Sequence, residues 1–136
     1  MLSPQSFLFI AIYDNKIDFV ELFLNFEDIN VNTCDPSFCI PFMIAVEKNY
    51  SKIIDLLIKH PQTNRNMRNT DDESALTIAV RNNRSNIIDL LINDERFDPI
   101  ESRLNCAFIY SNNEIAKSII SIKMPRCKSI LYSSFQ

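Results

Sequence analysis

The chain has 136 residues, 46% of them hydrophobic and 23% charged, the balance of one globular domain with enough apolar material for a core. A net charge of −3 supplies no basic field for gathering phosphates, and the complete lack of glycine excludes a Gly-rich phosphate loop. Four cysteines (Cys34, Cys39, Cys106 and Cys127) and one histidine, with no close-paired spacing, argue against a zinc site or a disulfide framework and for reduced thiols in a cytoplasmic setting.

The first predicted helix contains Phe7 to Ile12 and is apolar on nearly every side. This run is far short of the ~20 residues that cross a bilayer. With Asp14 close behind and no positively charged leader, it does not read as a signal peptide. Asn15 follows, and then a second apolar stretch, Val20-Glu21-Leu22-Phe23-Leu24. The same order returns downstream. Pro41 to Asn49 reads as a short helix with Phe42, Ala45 and Val46 on one stripe and Pro41 at the first helical position, where a missing N–H costs nothing. Asn49 stands where the chain must reverse, a task that suits asparagine best among residues other than glycine. A further helix is predicted from about Lys52 to His60, with Ser51 placed to cap it. The stretch from His60 to Asn69 is polar and lacks a helical period, so it reads as a loop leading into a hairpin.

These features recur with one period. Ala11, Ala45 and Ala79 are 34 residues apart, as are Asn15, Asn49 and Asn83, and Ser51 with Ser85. Val20 to Leu24, Ile54 to Ile58 and Ile88 to Ile92 superpose in the same way. A period in the thirties marks a stacked array, because one such unit cannot bury its apolar face alone. A fourth, shorter unit places Ala107 on the alanine phase and Ile115, Ile119 and Ile120 on the second-helix phase; six residues are missing from the loop between Asn93 and Asn105. The approximate units are residues 4–35, 36–69, 70–99 and 100–123 of one domain. Residues 124–136 form either a degenerate C-terminal cap or a flexible tail.

The unit of helix, turn, helix and long loop resembles the ankyrin repeat, whose motif runs Thr-Pro-Leu-His-x-Ala-Ala ahead of a Val-x-x-Leu-Leu second helix. Ile40-Pro41-Phe42-Met43-Ile44-Ala45-Val46 and Ser74-Ala75-Leu76-Thr77-Ile78-Ala79-Val80 carry the resemblance, and Ser6 to Ile12 carries a looser form of it. Val31, Asn32 and Asp35 echo the family's Val-Asn-Ala-x-Asp, and Asn66 and Asn69 hold two of those phases one unit later. Departures lie in the loops. The motif histidine is replaced by Phe9, Met43 and Thr77, the hairpin glycine by Phe38 and Asp72, and the glycine after the second helix by residues such as Pro61. The resemblance implies an all-α, ankyrin-type helix-turn-helix solenoid with short hairpin loops and about four repeats.

It also implies a non-catalytic scaffold that binds another protein through a concave side built from hairpin tips and first helices. The residues left free there are Pro36, Ser37, Phe38 and Cys39 on one tip and Thr70, Asp71, Asp72 and Glu73 on the next. Tyr13, Asp14, Glu47, Lys48, Arg81, Asn82 and Tyr110 come from the ends of first helices. Phe38 is the strongest single candidate, since an aromatic on a loop tip gives large contact area at little entropic cost; local packing under the hairpin is its other reading. The run Asp71-Asp72-Glu73 reads either as a lure for a basic segment or as a solvated loop. The same groove would also serve to block an enzyme's active site. Phe7, Phe9 and Ile10 exceed what one core stripe needs, so neighbouring residues cover them or they mark self-association or a longer array.

No catalytic constellation, cofactor loop or metal site emerges. His60 precedes Pro61 at a helix end, where a cation favours the dipole. Glu21, Asp55 and Asp89 repeat with the period and belong to the outer helices. Asn83-Arg84-Ser85 fits a glycosylation acceptor only formally, since it falls in an inter-helix turn.

Overall fold

The computed structural model describes residues 3–94. These form six α-helices: α1 (Pro4–Tyr13), α2 (Ile17–Leu24), α3 (Pro41–Lys48), α4 (Ser51–Lys59), α5 (Ala75–Arg81) and α6 (Ser85–Ile92). The chain divides into two compact units, Met1–Asp72 and Glu73–Gln136. The predicted fourth unit, the tail, Cys106, Cys127 and Tyr110 lie outside the described residues.

In the first unit α1 pairs with α2 and α3 with α4, while α3 packs on α1 and α4 on α2. The alanine column explains the close approach. Ala11 and Ala45 are buried, and the six residues from Pro41 to Val46 are buried without a break. The predicted stripe on α3 therefore widens to the whole of its first two turns, as expected of a helix packed on more than one side. Leu8, Ile12, Val20, Ile29, Val31, Ile40, Ile53, Ile54, Leu57 and Ile58 complete this core. In the second unit α5 pairs with α6, and Ala75, Leu76, Ile78, Ala79, Val80, Ile87, Ile88 and Leu91 are buried.

Each helix pair turns on its asparagine. Asn15, Asn49 and Asn83 have φ of 53°, 59° and 57°, in the left-handed region. The asparagine N–H donates to the carbonyl three residues back, and the next N–H donates to the alanine carbonyl: Lys16 to Ala11 at 2.8 Å, Tyr50 to Ala45 at 3.1 Å, Arg84 to Ala79 at 2.8 Å. This is the Schellman arrangement, which satisfies carbonyls left over at the helix end.

The same turns correct the expected caps. α4 and α6 begin at Ser51 and Ser85, so the capping positions fall to Tyr50 and Arg84, neither of which makes a side-chain cap bond. The Schellman bonds leave only one residue between the left-handed asparagine and the next helix, so the serines are already helical. Side-chain caps occur instead at Ser3, which accepts from Ser6 N–H, and Ser74, which accepts from Thr77 N–H, both at 3.3 Å.

The loop after α4 holds a second correction. Thr63 and Arg65 are buried, although the stretch reads as polar throughout. Arg65 occupies the phase of buried Val31, and its guanidinium donates to the carbonyls of Thr63 and Ile58. Thr63 Oγ1 donates to the Leu57 carbonyl at 2.6 Å. Both side chains thus close the C-terminus of α4, where carbonyls and the negative end of the dipole favour a cation. His60 does not supply that cation. Burial, and then the Arg65 charge, hold its imidazole below the ordinary 6.5, and its Nδ1 accepts from Gln62 N–H at 3.3 Å.

Candidate interaction surface

The first hairpin tip is built around Asp35. Phe38 N–H donates to the Asp35 carbonyl and Asp35 N–H to the Cys39 carbonyl, both at 3.0 Å. Asp35 Oδ1 accepts from Ser37 and Cys39 N–H, both at 2.8 Å. Pro36 follows Asp35, so the sequence has the Asp-Pro start that suits a tight turn. Phe38 then takes φ of 59°, the left-handed position that ends a three-residue hairpin loop. Its side chain is 56% exposed. An aromatic residue in this region is uncommon, because its Cβ crowds the backbone.

The second tip repeats the scheme. Asp72 N–H donates to the Asn69 carbonyl at 3.0 Å, Asn69 Oδ1 accepts from Asp71 N–H at 2.9 Å, and Asp72 has φ of 60°. Thr70 N–H donates to the Ser37 carbonyl at 3.0 Å, tying one tip to the other. Behind the tips Asn32 joins successive loops: its Nδ2 donates to the Gln62 carbonyl at 2.7 Å and its Oδ1 accepts from Asn64 N–H at 2.8 Å.

With this geometry in place, the sequence matches ankyrin repeats, three copies, over residues 8–103 and again over residues 42–128. The chain belongs to the ankyrin repeat family. No curated protein matches it. Ankyrin repeats are in general protein–protein interaction modules. In this ankyrin chain the hairpin phases expected to hold glycine carry Phe38 and Asp72, and the inter-helix turns carry asparagine, all with positive φ.

Within the first unit the expected contact residues partly converge. Tyr13, at the end of α1, is 46% exposed and lies under Lys48 Nζ, 5.3 Å from the ring centroid. Partial burial, and then the charges of Asp35 and Cys39, push its phenol above 10.0. Tyr13, Lys48 and the Asp35–Cys39 tip therefore share one neighbourhood. Asp14, Glu47, Pro36, Ser37 and Thr70 are exposed, and Cys39 is half-buried, within 3.8 Å of Asn69 Nδ2.

The acidic run is less available than its sequence suggests. Asp72 accepts from Arg68 Nη1 at 2.9 Å. Glu73, in the second unit, is bound by Arg81 Nε at 2.8 Å, so these two expected contact residues are engaged with each other. Asp71 alone of the three acids has no ion-pair partner among the described residues. Asn82 is half-buried at the end of α5. Among the described residues no three His, Cys, Asp or Glu side chains are grouped to hold a metal ion, and no helix is long and apolar enough to cross a membrane.

Sequence reasoning missed the breadth of the apolar face on the first helix pair. Phe7 and Ile10 are 43% and 48% exposed, as expected, and Phe9 is half-buried. Phe19, Leu22 and Phe26 are equally open. The signal was present in the period: positions 19 and 22 hold the phase of Ile53 and Leu56, the apolar residues of the next second helix.

Proposed function

We propose that this ankyrin chain is a non-catalytic scaffold that holds a partner protein against its hairpin tips and first-helix ends. The observation that carries the reading is Phe38, exposed on a tip whose backbone Asp35 holds through its N–H, its carbonyl and its Oδ1. Local strain of this kind persists where the surroundings over-determine it, and it is often kept for function. Tyr13, which feels the charges of Asp35 and Cys39, and Lys48 over its ring bring a second aromatic and a cation to the contact. Contact through rigid aromatic anchors gives affinity at low entropic cost, with the charges around them setting specificity. The reading carries a cytoplasmic setting, in which Cys34 and Cys39 remain thiols. It also carries four repeats in one domain.

The test is affinity capture with the wild-type chain, Phe38→Ser and Tyr13→Ala in parallel. A binder retained by the wild type and lost by both variants, at unchanged helicity, is the expected result. Equal capture by all three removes the hairpin surface from the reading.

A second reading is favoured by the open face of α1 and α2. Phe7 and Ile10, with Phe9 beside them, serve self-association, or the chain is a piece of a longer array whose neighbouring helices cover them.

A further inference from the structure

The period shows what the open face is for. Ile10 is half exposed, whereas Ile44 and Ile78, at the same phase, are buried. Phe19 is 55% exposed, whereas Ile53 and Ile87 are buried. Phe7 is exposed where Pro41 and Ala75 are buried. Leu8, Ala11, Ile12 and Val20, by contrast, are buried in the first pair, as their counterparts are in the others. The exposed set is therefore the face with which a helix pair packs on the pair before it, as α3 packs on α1 and α4 on α2. On α1 and α2 that face is open among the described residues.

The open face is not a copy of the internal one. Where the later pairs carry Pro41 and Ala75, Ile53 and Ile87, Leu57 and Leu91, and His60 and Asp94, the first pair carries four phenylalanines, at positions 7, 19, 23 and 26. Their rings form one cluster around Phe23. Phe7 and Phe23 are 6.1 Å apart at 16°, Phe19 and Phe23 6.4 Å at 23°, and Phe23 and Phe26 5.9 Å at 42°. Phe23 is half-buried in the centre, and the other three expose close to half of their surface.

This chemistry selects the occupant. Within the first unit the preceding pair is met by the aliphatic side chains of Pro41, Ile53 and Leu57, and four added rings thicken the face where such a pair would sit. A cluster of rings instead complements a second cluster of the same kind, ring faces and edges meeting in offset pairs. Half-exposed Phe7, Ile10, Phe19, Leu22 and Phe26 together offer on the order of 450 Å² of apolar surface. That is about half of the ~800 Å² each partner buries in a standard interface, and exposed polar neighbours such as Asp18 and Glu21 are available to extend it. Closed two-fold contacts, in which one patch meets its own copy, are the commonest way identical chains pair.

We propose that a second copy of this chain docks on this face, α1 and α2 against α1 and α2, about a two-fold axis. The proposal rests on the self-association reading above and adds its surface, its partner and its symmetry.

The test is light scattering behind size exclusion on the full chain across a concentration series, with Phe19→Arg and Leu22→Glu measured beside it and helicity followed by circular dichroism. Both substituted side chains are more than half exposed, so the fold tolerates the charge. The expected result is a monomer–dimer equilibrium that stops at the dimer and is weakened about tenfold or more by each variant. Should Phe19→Arg lose helicity, Leu22→Glu decides. Species that keep growing beyond the dimer overturn the two-fold geometry but keep self-association. A dimer indifferent to both variants moves the contact elsewhere. A monomer at every concentration overturns this proposal together with the reading under it.

Discussion

Asn49→Gly tests how a chain without glycine builds its turns. Asn49 has φ of 59° between α3 and α4, and its Oδ1 is buried with no hydrogen-bond partner. A buried acceptor left unmade costs about 1–3 kcal/mol, and glycine removes that atom. Glycine also enters the left-handed region without the Cβ contact that asparagine still carries. Against these gains stands the larger freedom of glycine in the unfolded chain, about 0.5–1 kcal/mol. The balance is a gain of about 1 kcal/mol, or a rise of roughly 3–5 °C in Tm for a domain of this size. Asn15→Gly is the control, because Asn15 has φ of 53° but is exposed and gains nothing from losing its amide. Thermal and urea unfolding followed by circular dichroism measure both variants. If Asn49→Gly falls below wild type, or merely equals Asn15→Gly, the buried carbonyl is not the liability described here.

Three other outcomes follow from the packing and the loops. Ala45→Asp places a charge at a fully buried position between packed helices and lowers stability by about 3 kcal/mol or more; a melt near wild type would mean the alanine column is not a packing contact. Asn32→Ala removes the bonds to Gln62 and Asn64, which lowers stability by about 1–3 kcal/mol and speeds hydrogen exchange at the Asn64 amide; unchanged exchange there would show the bridge to be idle. The folded His60 binds its proton less readily than the ordinary 6.5, so the unfolded chain takes one up first on acidification. Its contribution is present above about 6.5 and is lost as pH falls below that value, and His60→Asn should flatten the fall in Tm between neutral and mildly acidic pH.

What the sequence made legible was whatever one residue decides locally. Asn15, Asn49 and Asn83 announced their turns because few other residues accept that backbone, and Pro41 announced a helix start for the same kind of reason. Ser51 and Ser85 misled because the cap register is set by backbone bonds to Ala45 and Ala79, which composition does not record. Arg65 was invisible because a charged residue in a polar loop reads as solvated. Only the carbonyls at the end of α4 make its burial favourable. The engagement of Asp72 and Glu73 was hidden for a related reason: Arg68 and Arg81 lie four and eight residues away along a chain that must first be folded to bring them close. Phe38 was legible as a tip residue, whereas its exposure was settled only by the direction the turn gives it.

The bridges between the loops bear on how the chain acquires its structure. Asn32 reaches Gln62 and Asn64, Cys39 reaches Asn69, and Ser37 reaches Thr70, so each link spans about one repeat and none reaches further. Contacts between near neighbours close short loops, which keeps the search for them brief and favours fast folding. During synthesis, both partners of every one of these links are present once residue 72 has left the ribosome. The first unit is thus written to assemble in the order in which it is read.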